Sequence, residues 1–337
     1  LLTLPLFSQN ISYPTSKRKK QIDDYHGHLV ADPYRWLEDE NSSETKEWIK
    51  EQNKVTFKHL EEIPFRTDLR KKFESILNYE RYSLPSDYDN TFIYSKNSGM
   101  QNQSPIYYKT KGKDKTKLLL DPNELSDDGT ISITGYTLSK DEKYFAYSIS
   151  KSGSDWNEIF IIDMETGSQL SDHLKWIKFS GISWYKDGFF YSRYKPEDEE
   201  KVLSGKNEYH SVYYHKINTE QSNDILIYRN YNEPLRTYSA FTDKEQQYLF
   251  LSEKKSTSNN ALYFQSVSLE ESQFTAITDE NFLFDYGFVT IIDGKFLIKT
   301  NENAPKYKLM LVDPSNAQKS NWQEFIPEQN YVIEQIT

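Results

Sequence analysis

The sequence predicts a mainly β fold: a β-propeller of about five four-stranded blades, preceded by a short α-helical extension. Short runs rich in β-branched and aromatic residues, such as Tyr144 to Ile149 and Ile159 to Ile162, are bounded by polar turns, which is typical of antiparallel strands. The pattern recurs at a period of about 50 residues, as in propeller blades. The 26 Tyr and 19 Phe suit this fold, because aromatic rings pack well on a pleated surface.

An acidic turn residue marks each of the predicted repeats, which occupy residues 79–327. These residues are Asp89, Asp141, Asp187, Asp243 and Asp293. Because one small sheet cannot bury both of its faces, neighbouring units must stack. Residues 330–337 predict a further strand, the start of a sixth unit, and hence an interrupted array. A β-sandwich with evenly spaced hairpins is the alternative fold.

Two helices are predicted in residues 13–78, before the repeats. Asn41 with Glu44 three residues later is a helix-start signal, and the helix is expected to run from Glu44 to about Leu60. Thr67 is expected to cap the second helix. One face of that helix carries an apolar stripe: Leu69, Phe73, Ile76 and Leu77. Such a stripe needs a partner surface.

Residues 1–12 begin with the apolar run LLTLPLFSQ, which is similar to the end of a secretion signal. We interpret this segment as a signal-peptide remnant or a disordered arm. The first interpretation favours an exported or periplasmic protein, and the second leaves a cytoplasmic one as the alternative.

Composition excludes several classes of partner and cofactor. The net charge of −10 repels phosphate backbones, so no nucleic-acid partner is expected. No apolar run is long enough to span a bilayer, so no membrane partner is expected. The absence of Cys excludes disulfides, thiolate zinc sites and a cysteine nucleophile. His26 and His28 would share one face of an extended segment, but no third ligand has a helpful spacing, so no metal or other cofactor is expected.

Motif searches find no catalytic signature in the sequence. A Gly-x-Ser-x-Gly elbow, a His-Glu-x-x-His helix, a phosphate-binding loop and a dinucleotide fingerprint are all missing. His210 and His215 would fall on opposite faces of one strand. The residues alone therefore indicate a scaffold or a binding surface.

The segment DYHGHLVADPYRWLED at residues 24–39 closely resembles the N-terminal signature of the prolyl oligopeptidase family. The resemblance continues in order through SGMQNQSPIYY, DPNELSDDGT, FAYSISKSGSDW, IKFS and NEP. It implies a serine peptidase that cuts short peptides after proline. It also implies an α/β-hydrolase domain joined to a seven-bladed propeller, which sits over the active site and excludes large folded substrates.

By this resemblance, residues 79–337 correspond to about five of the seven blades and the start of a sixth. The helices of residues 13–78 would pack on the hydrolase domain of the same parent chain. The family's Ser, Asp and His triad lies after the propeller, so no catalytic residue is expected in this chain, which alone would be inactive. The expected partners are short proline-containing peptides and that hydrolase domain.

Three substrate-binding residues follow from the resemblance. Phe179, in IKFS, matches an aromatic residue that lines the substrate cavity and contacts the residue two before the scissile proline, although it could instead be core of its blade. Thr237 and Ser256 fall on two further lining positions, where some members carry sulfur-bearing residues. Two alternatives stay open: a stand-alone five-bladed binding module, and a peptidase similar to oligopeptidase B that cuts after basic residues. The signature at residues 24–39 favours the proline-cutting branch.

Overall fold

A computed structural model describes residues 11–195, 205–269, 273–334 and 336. The chain divides into two compact units, Leu1–Tyr79 and Glu80–Thr337. Most of the predicted signal remnant, residues 1–10, lies outside the described residues. In the described part of the chain, no helix combines the length and the apolar character needed to cross a membrane.

The first unit contains one hairpin and two α-helices. The hairpin pairs β1 (Ile22–Tyr25) with β2 (His28–Ala31). His26 and Gly27 form its turn with φ angles of 56° and 90°, the left-handed conformation that two-residue hairpin turns require. The prediction of one extended segment carrying His26 and His28 on the same face was therefore wrong.

The helices are α1 (Ser43–Glu61) and α2 (Arg66–Leu77). Ser42, rather than Asn41, caps α1, because its side chain accepts a hydrogen bond from the Thr45 N–H at 3.1 Å. The predicted Thr67 cap of α2 was wrong. The turn after Pro64 starts that helix earlier, since the Leu69 N–H already bonds the Phe65 carbonyl at 2.9 Å, and Thr67 lies inside the helix.

The second unit consists of five antiparallel sheets, one per predicted repeat. Blade 1 comprises β3 (Arg81–Tyr82), β4 (Ser86–Asp87), β5 (Thr91–Asn97), β6 (Ile106–Thr110) and β7 (Thr116–Leu120). Blade 2 comprises β8 (Ile131–Leu138), β9 (Tyr144–Lys151), β10 (Asn157–Asp163) and β11 (Gln169–Ile177). Blade 3 comprises β12 (Ser183–Tyr185), β13 (Gly188–Arg193), β14 (Ser211–Lys216) and β15 (Ile225–Tyr228).

The last two blades follow the same order. Blade 4 comprises β16 (Thr237–Thr242), β17 (Tyr248–Lys254), β18 (Ala261–Ser266) and β19 (Thr275–Ala276). Blade 5 comprises β20 (Tyr286–Ile292), β21 (Lys295–Thr300), β22 (Lys308–Val312) and β23 (Gln323–Ile326). The predicted mainly β propeller is thus confirmed, and five sequential meanders exclude the two facing sheets of a sandwich.

The acidic repeat markers occupy equivalent places. Asp141, Asp187, Asp243 and Asp293 each lie between the first and second strands of their blade, and Asp89 lies between β4 and β5. The Asp243 carboxylate accepts N–H bonds from Gln247 and Tyr248 at 2.8 and 2.6 Å. An acidic side chain at this turn therefore satisfies backbone donors that the hairpin leaves unpaired.

One predicted strand is missing. Residues 330–334 and 336, the described part of the predicted sixth-unit strand, form no strand. The Ile333 N–H donates to the Lys306 carbonyl at 3.0 Å, and the Lys299 ammonium donates to the Ile333 and Glu334 carbonyls. This segment lies along blade 5 through isolated bonds, whereas a strand requires a continuous ladder.

Aromatic side chains fill the space between neighbouring blades. Phe250 of blade 4 and Phe296 of blade 5 are fully buried, and their rings meet edge to face at 5.0 Å. Phe190 and Tyr214 of blade 3 share a buried cluster with Leu249 of blade 4. Because burying each such side chain is worth about 1.5–3 kcal/mol, these contacts hold the blades in fixed positions and make a rigid support for loops.

Candidate functional site

A cleft of about 770 Å³ opens among the loops of blades 2, 3 and 4. Phe179 comes from the connection between β11 and β12, Thr237 from the start of β16, and Ser256 from the connection between β17 and β18. The structure therefore brings all three predicted substrate-binding residues to one cavity. Its volume falls in the range of small-ligand pockets, about 300–1,000 Å³.

Phe179 presents its ring to this cleft from a left-handed backbone, with φ of 55°. The residue is 59 % exposed, which excludes the alternative that Phe179 is core of its blade. A left-handed conformation is uncommon for a bulky residue and costs about 1–2 kcal/mol. Such backbone strain clusters at binding sites, where the surrounding structure imposes it.

The Lys178 ammonium forms a cation–π contact with the Phe179 ring. The ammonium lies 5.4 Å from the ring centre of Phe179 and 5.4 Å from that of Trp156, and it pairs with the Asp155 carboxylate at 3.2 Å. Only 14 % of the Lys178 side chain is exposed. Cation–π contacts are strongest when desolvated, so this arrangement restricts the ring.

Asp155 and Trp156 thus contact a residue of the cleft, Lys178, without lining the cleft themselves. The Trp156 ring meets the rings of Trp176 and Tyr194 edge to face, each at 5.8 Å. Tyr194 itself lines the cleft. A packed aromatic cluster therefore lies directly behind the exposed Phe179.

His210 forms hydrogen bonds with backbone groups on both sides of the cleft. The fully buried imidazole donates from Nε2 to the Lys178 carbonyl at 2.8 Å and accepts the Tyr238 N–H at Nδ1 at 2.9 Å. Burial lowers the pKa of His210 to about 4, so the ring is neutral, as this donor–acceptor pattern requires. His210 thereby fixes the residues next to Phe179 and Thr237.

A second buried histidine joins blades 2 and 3. His215 donates to Asp224 at 2.7 Å and to Asp172 at 3.0 Å, and all three side chains are fully buried. Burial opposes protonation, but the hydrogen bonds to the two carboxylates prevail and raise the pKa of His215 to about 9. The charged imidazole is therefore a structural cation, because each ring nitrogen is already used in an ion pair.

Neither histidine network was predicted from the sequence. Asp172 lies 43 residues before His215, and the Lys178 carbonyl lies 32 residues before His210. The sequence did place His210 and His215 apart, and they do form separate networks. Spacing along the chain gave no signal for partners in other blades.

No catalytic constellation is visible in the described part of the chain. His173 bonds Glu158 at 2.7 Å, while His210 and His215 bond backbone groups and carboxylates. Among residues 11–195, 205–269, 273–334 and 336, no group of three or more potential ligand side chains is arranged for a metal ion. The lining of the cleft combines two aromatic residues, Phe179 and Tyr194, with several polar groups.

The fold and the cleft define the class of protein: a β-propeller whose loops form a cavity of about 770 Å³. Residues 13–337 match the family model described as "Prolyl oligopeptidase, N-terminal beta-propeller domain". The chain belongs to the prolyl oligopeptidase family. The residues matched comprise most of the helical unit and all five blades.

Curated relatives and solved structures agree. The chain is 38 % identical over 322 residues to the prolyl endopeptidase of Elizabethkingia miricola, covering 95 % of this chain and 45 % of that protein. It is 39 % identical over 330 residues to the prolyl endopeptidase of Elizabethkingia meningoseptica, covering 97 % and 46 %. Prolyl oligopeptidase B from Galerina marginata, bound to a 35-residue substrate, superposes with a TM-score of 0.78 at 30 % identity, covering 94 % and 48 %. The chain spans about half the length of these relatives.

Proposed function

We propose that this chain is the N-terminal and propeller part of a serine endopeptidase that hydrolyses short peptides after proline. Family membership supports the class of enzyme, and the names of the relatives support the preference for proline. The observation that carries the proposal is the cleft that gathers Phe179, Thr237 and Ser256. These are the positions that the family resemblance assigns to substrate binding.

In this proposal the propeller controls access and lines a subsite. The exposed face of Phe179 receives the side chain two residues before the scissile proline, because an aromatic ring offers a flat, apolar surface on which such a side chain stacks. Thr237 and Ser256 supply the polar side of the same subsite. The blades, locked by aromatic packing, exclude large folded substrates.

The chemistry belongs to a hydrolase domain of the same parent chain. There the serine attacks the carbonyl carbon of proline, the histidine removes the serine proton and later protonates the leaving amine, and the aspartate orients the histidine. None of these groups is assigned to residues 1–337, so we expect this chain alone to be inactive.

The helical unit has an anchoring role in this account. The stripe of α2 is about half exposed, with Phe73 at 54 % and Ile76 at 55 %. We propose that this apolar face and the exposed Phe57 of α1 pack on the hydrolase domain. An exposed apolar stripe on an amphipathic helix is typical of a surface that a partner covers.

The direct test uses the protein expressed from its complete gene and a chromogenic glycyl-prolyl peptide. We expect turnover that a serine-directed inhibitor abolishes, and at least about 100-fold weaker turnover when alanine replaces proline. Residues 1–337 assayed alone should show none. Equal cleavage of the alanine peptide, preference for a basic residue, or inhibitor-sensitive turnover by residues 1–337 would contradict the proposal.

A further inference from the structure

We propose that the cleft beside Phe179 selects peptides with an acidic side chain two residues before the proline. In this proposal Lys254 and Lys255 determine the specificity. The inference rests on the proposed function, since it defines the substrate class of that same site. The charged side chains that line the cavity in the described part of the chain are positive, whereas the net charge of the chain is −10.

Among the residues that the structure describes, those lining the cleft supply three ammonium groups and no carboxylate: Lys178, Lys254 and Lys255. The whole chain carries 51 acidic and 41 basic residues, so the described lining of this cleft is more cationic than the chain as a whole. Clefts lined by one sign of charge concentrate ligands of the opposite sign. The ligand favoured here is therefore a carboxylate.

The three lysines differ in whether a carboxylate already neutralises their charge. Lys178 is paired with Asp155 at 3.2 Å and is mostly buried. Lys254 and Lys255 are exposed, and within the described ranges neither forms an ion pair. Both lie at the end of β17 and in the connection to β18, next to Ser256. Their ammonium groups are the ones available to a ligand.

Two acidic groups near Lys254, Glu253 and Asp285, are engaged elsewhere. Glu253 is buried and accepts hydrogen bonds from the hydroxyls of Tyr238 and Tyr263 at 3.3 and 2.9 Å. Asp285, which lines the adjacent cleft with Lys254, accepts from the Asn259 N–H and from the Tyr307 hydroxyl at 3.1 Å each. Neither lines the cavity that contains Phe179.

The remaining polar lining suits a carboxylate as well. Thr237, Ser239 and Ser252 place hydroxyl groups on the blade 4 wall, and a hydroxyl can donate to a carboxylate oxygen. Sulfur-bearing residues at the Thr237 and Ser256 positions would instead make a soft apolar wall. Thr237 and Ser256 therefore make this subsite more polar than sulfur-bearing residues would, and the lysines add positive charge. Both features favour a carboxylate.

The test compares two chromogenic peptides, Glu-Gly-Pro and Gln-Gly-Pro with blocked N-termini, on the complete gene product. Because each exposed ion pair contributes modestly, we expect kcat/KM to favour the Glu peptide by about 3- to 10-fold at low ionic strength. Added salt to 0.5 M should reduce that ratio towards 1, since the lysines are exposed and screened.

The variant Lys254→Gln with Lys255→Gln should lower the Glu:Gln ratio of kcat/KM to about 1, because the Glu peptide loses its ion pairs. The matched control is Lys113→Gln with Lys115→Gln, which removes two exposed lysines that line no part of this cleft; the ratio should not change. A ratio near 1 in the unmodified protein, or one that K254Q/K255Q leaves intact, overturns this inference alone. Failure to cleave either peptide after proline overturns the proposed function, and the inference with it.

Discussion

Phe179 and His210 together decide the geometry of the cleft. The ring of Phe179 is exposed on a left-handed backbone, and His210 holds the preceding carbonyl and the N–H that follows Thr237. Phe179 therefore presents an exposed ring to the cleft, and His210 fixes the backbone beside it. Substitution of Phe179 should therefore affect substrate binding, whereas substitution of His210 should affect the stability of the fold.

Replacing Phe179 by Ala should lower kcat/KM of the complete gene product by about 10-fold for peptides that carry a side chain two residues before proline, the loss of one aromatic contact of about 1.4 kcal/mol. Stability should change little, because the side chain is 59 % exposed. Tyr231→Ala, at an exposed aromatic residue that does not line the cleft, is the control for steady-state kinetics and urea unfolding. An unchanged kcat/KM in F179A would remove Phe179 from the subsite.

His210→Leu should destabilise the protein by about 2–3 kcal/mol in urea unfolding, because it leaves a buried carbonyl and a buried N–H unpaired. His173→Leu, at a half-exposed ring that pairs with Glu158 and stacks on Phe160, should cost under about 1 kcal/mol. The pKa of His210 is depressed to about 4, so its contribution is present above pH 6.5 and is lost as pH falls towards 4. If the variant and the parent lost the same free energy of unfolding between pH 6.5 and pH 4, the assigned role of His210 would be refuted.

Blades are the elements whose existence the sequence could predict. The period of the acidic turns and the aromatic runs depend on local chemistry, so the five sheets and helix α1 were expected close to where they lie. The Thr67 cap was not correctly predicted, because the Phe65–Leu69 bond starts α2 earlier. The predicted sixth-unit strand is not formed in its described residues, 330–334 and 336, because isolated bonds to blade 5 take the place of a ladder. The cleft residues came from family resemblance, whereas Lys254, Lys255 and both histidine networks depend on contacts between distant segments.

The junction of blades 2 and 3 should respond to alkaline pH through His215. Its pKa is raised to about 9, so the ion-pair contribution is complete below pH 6.5 and is lost as pH rises through about 9. His215→Gln should be on the order of 3 kcal/mol less stable at pH 6, because two buried carboxylates lose their cation. The difference from the parent in urea unfolding should shrink by pH 9.5. A constant difference across this range would contradict a charged His215.

At the scale of the whole molecule, the two units present different surfaces. The propeller buries its aromatic residues between blades and exposes Phe179, whereas the helical unit exposes an apolar stripe on α2. The exposed Phe179 agrees with the subsite proposed above, and the exposed stripe agrees with the proposed contact to a hydrolase domain. Residues 1–337 expressed alone should show the consequence of leaving that stripe exposed.

We expect residues 1–337 to self-associate at micromolar concentration, because contiguous exposed apolar surface favours association. Phe73→Ser with Ile76→Ser should shift the distribution towards monomer in sedimentation velocity. Lys71→Ser with Lys72→Ser, which alters the same helix at exposed charged residues, should not. Monomeric behaviour of the unmodified chain would show that the stripe needs no partner.

The most direct test of the account is a photo-crosslink from the substrate itself. A peptide carrying a benzophenone side chain two residues before proline is bound to the complete gene product, irradiated, and mapped by mass spectrometry. We expect crosslinks to residues 178–180, 235–237 and 252–257. Unlabelled proline peptide should compete with this crosslinking, and the variant F179A should reduce its yield. Crosslinks confined to other parts of the protein, or unaffected by competitor, would contradict the account.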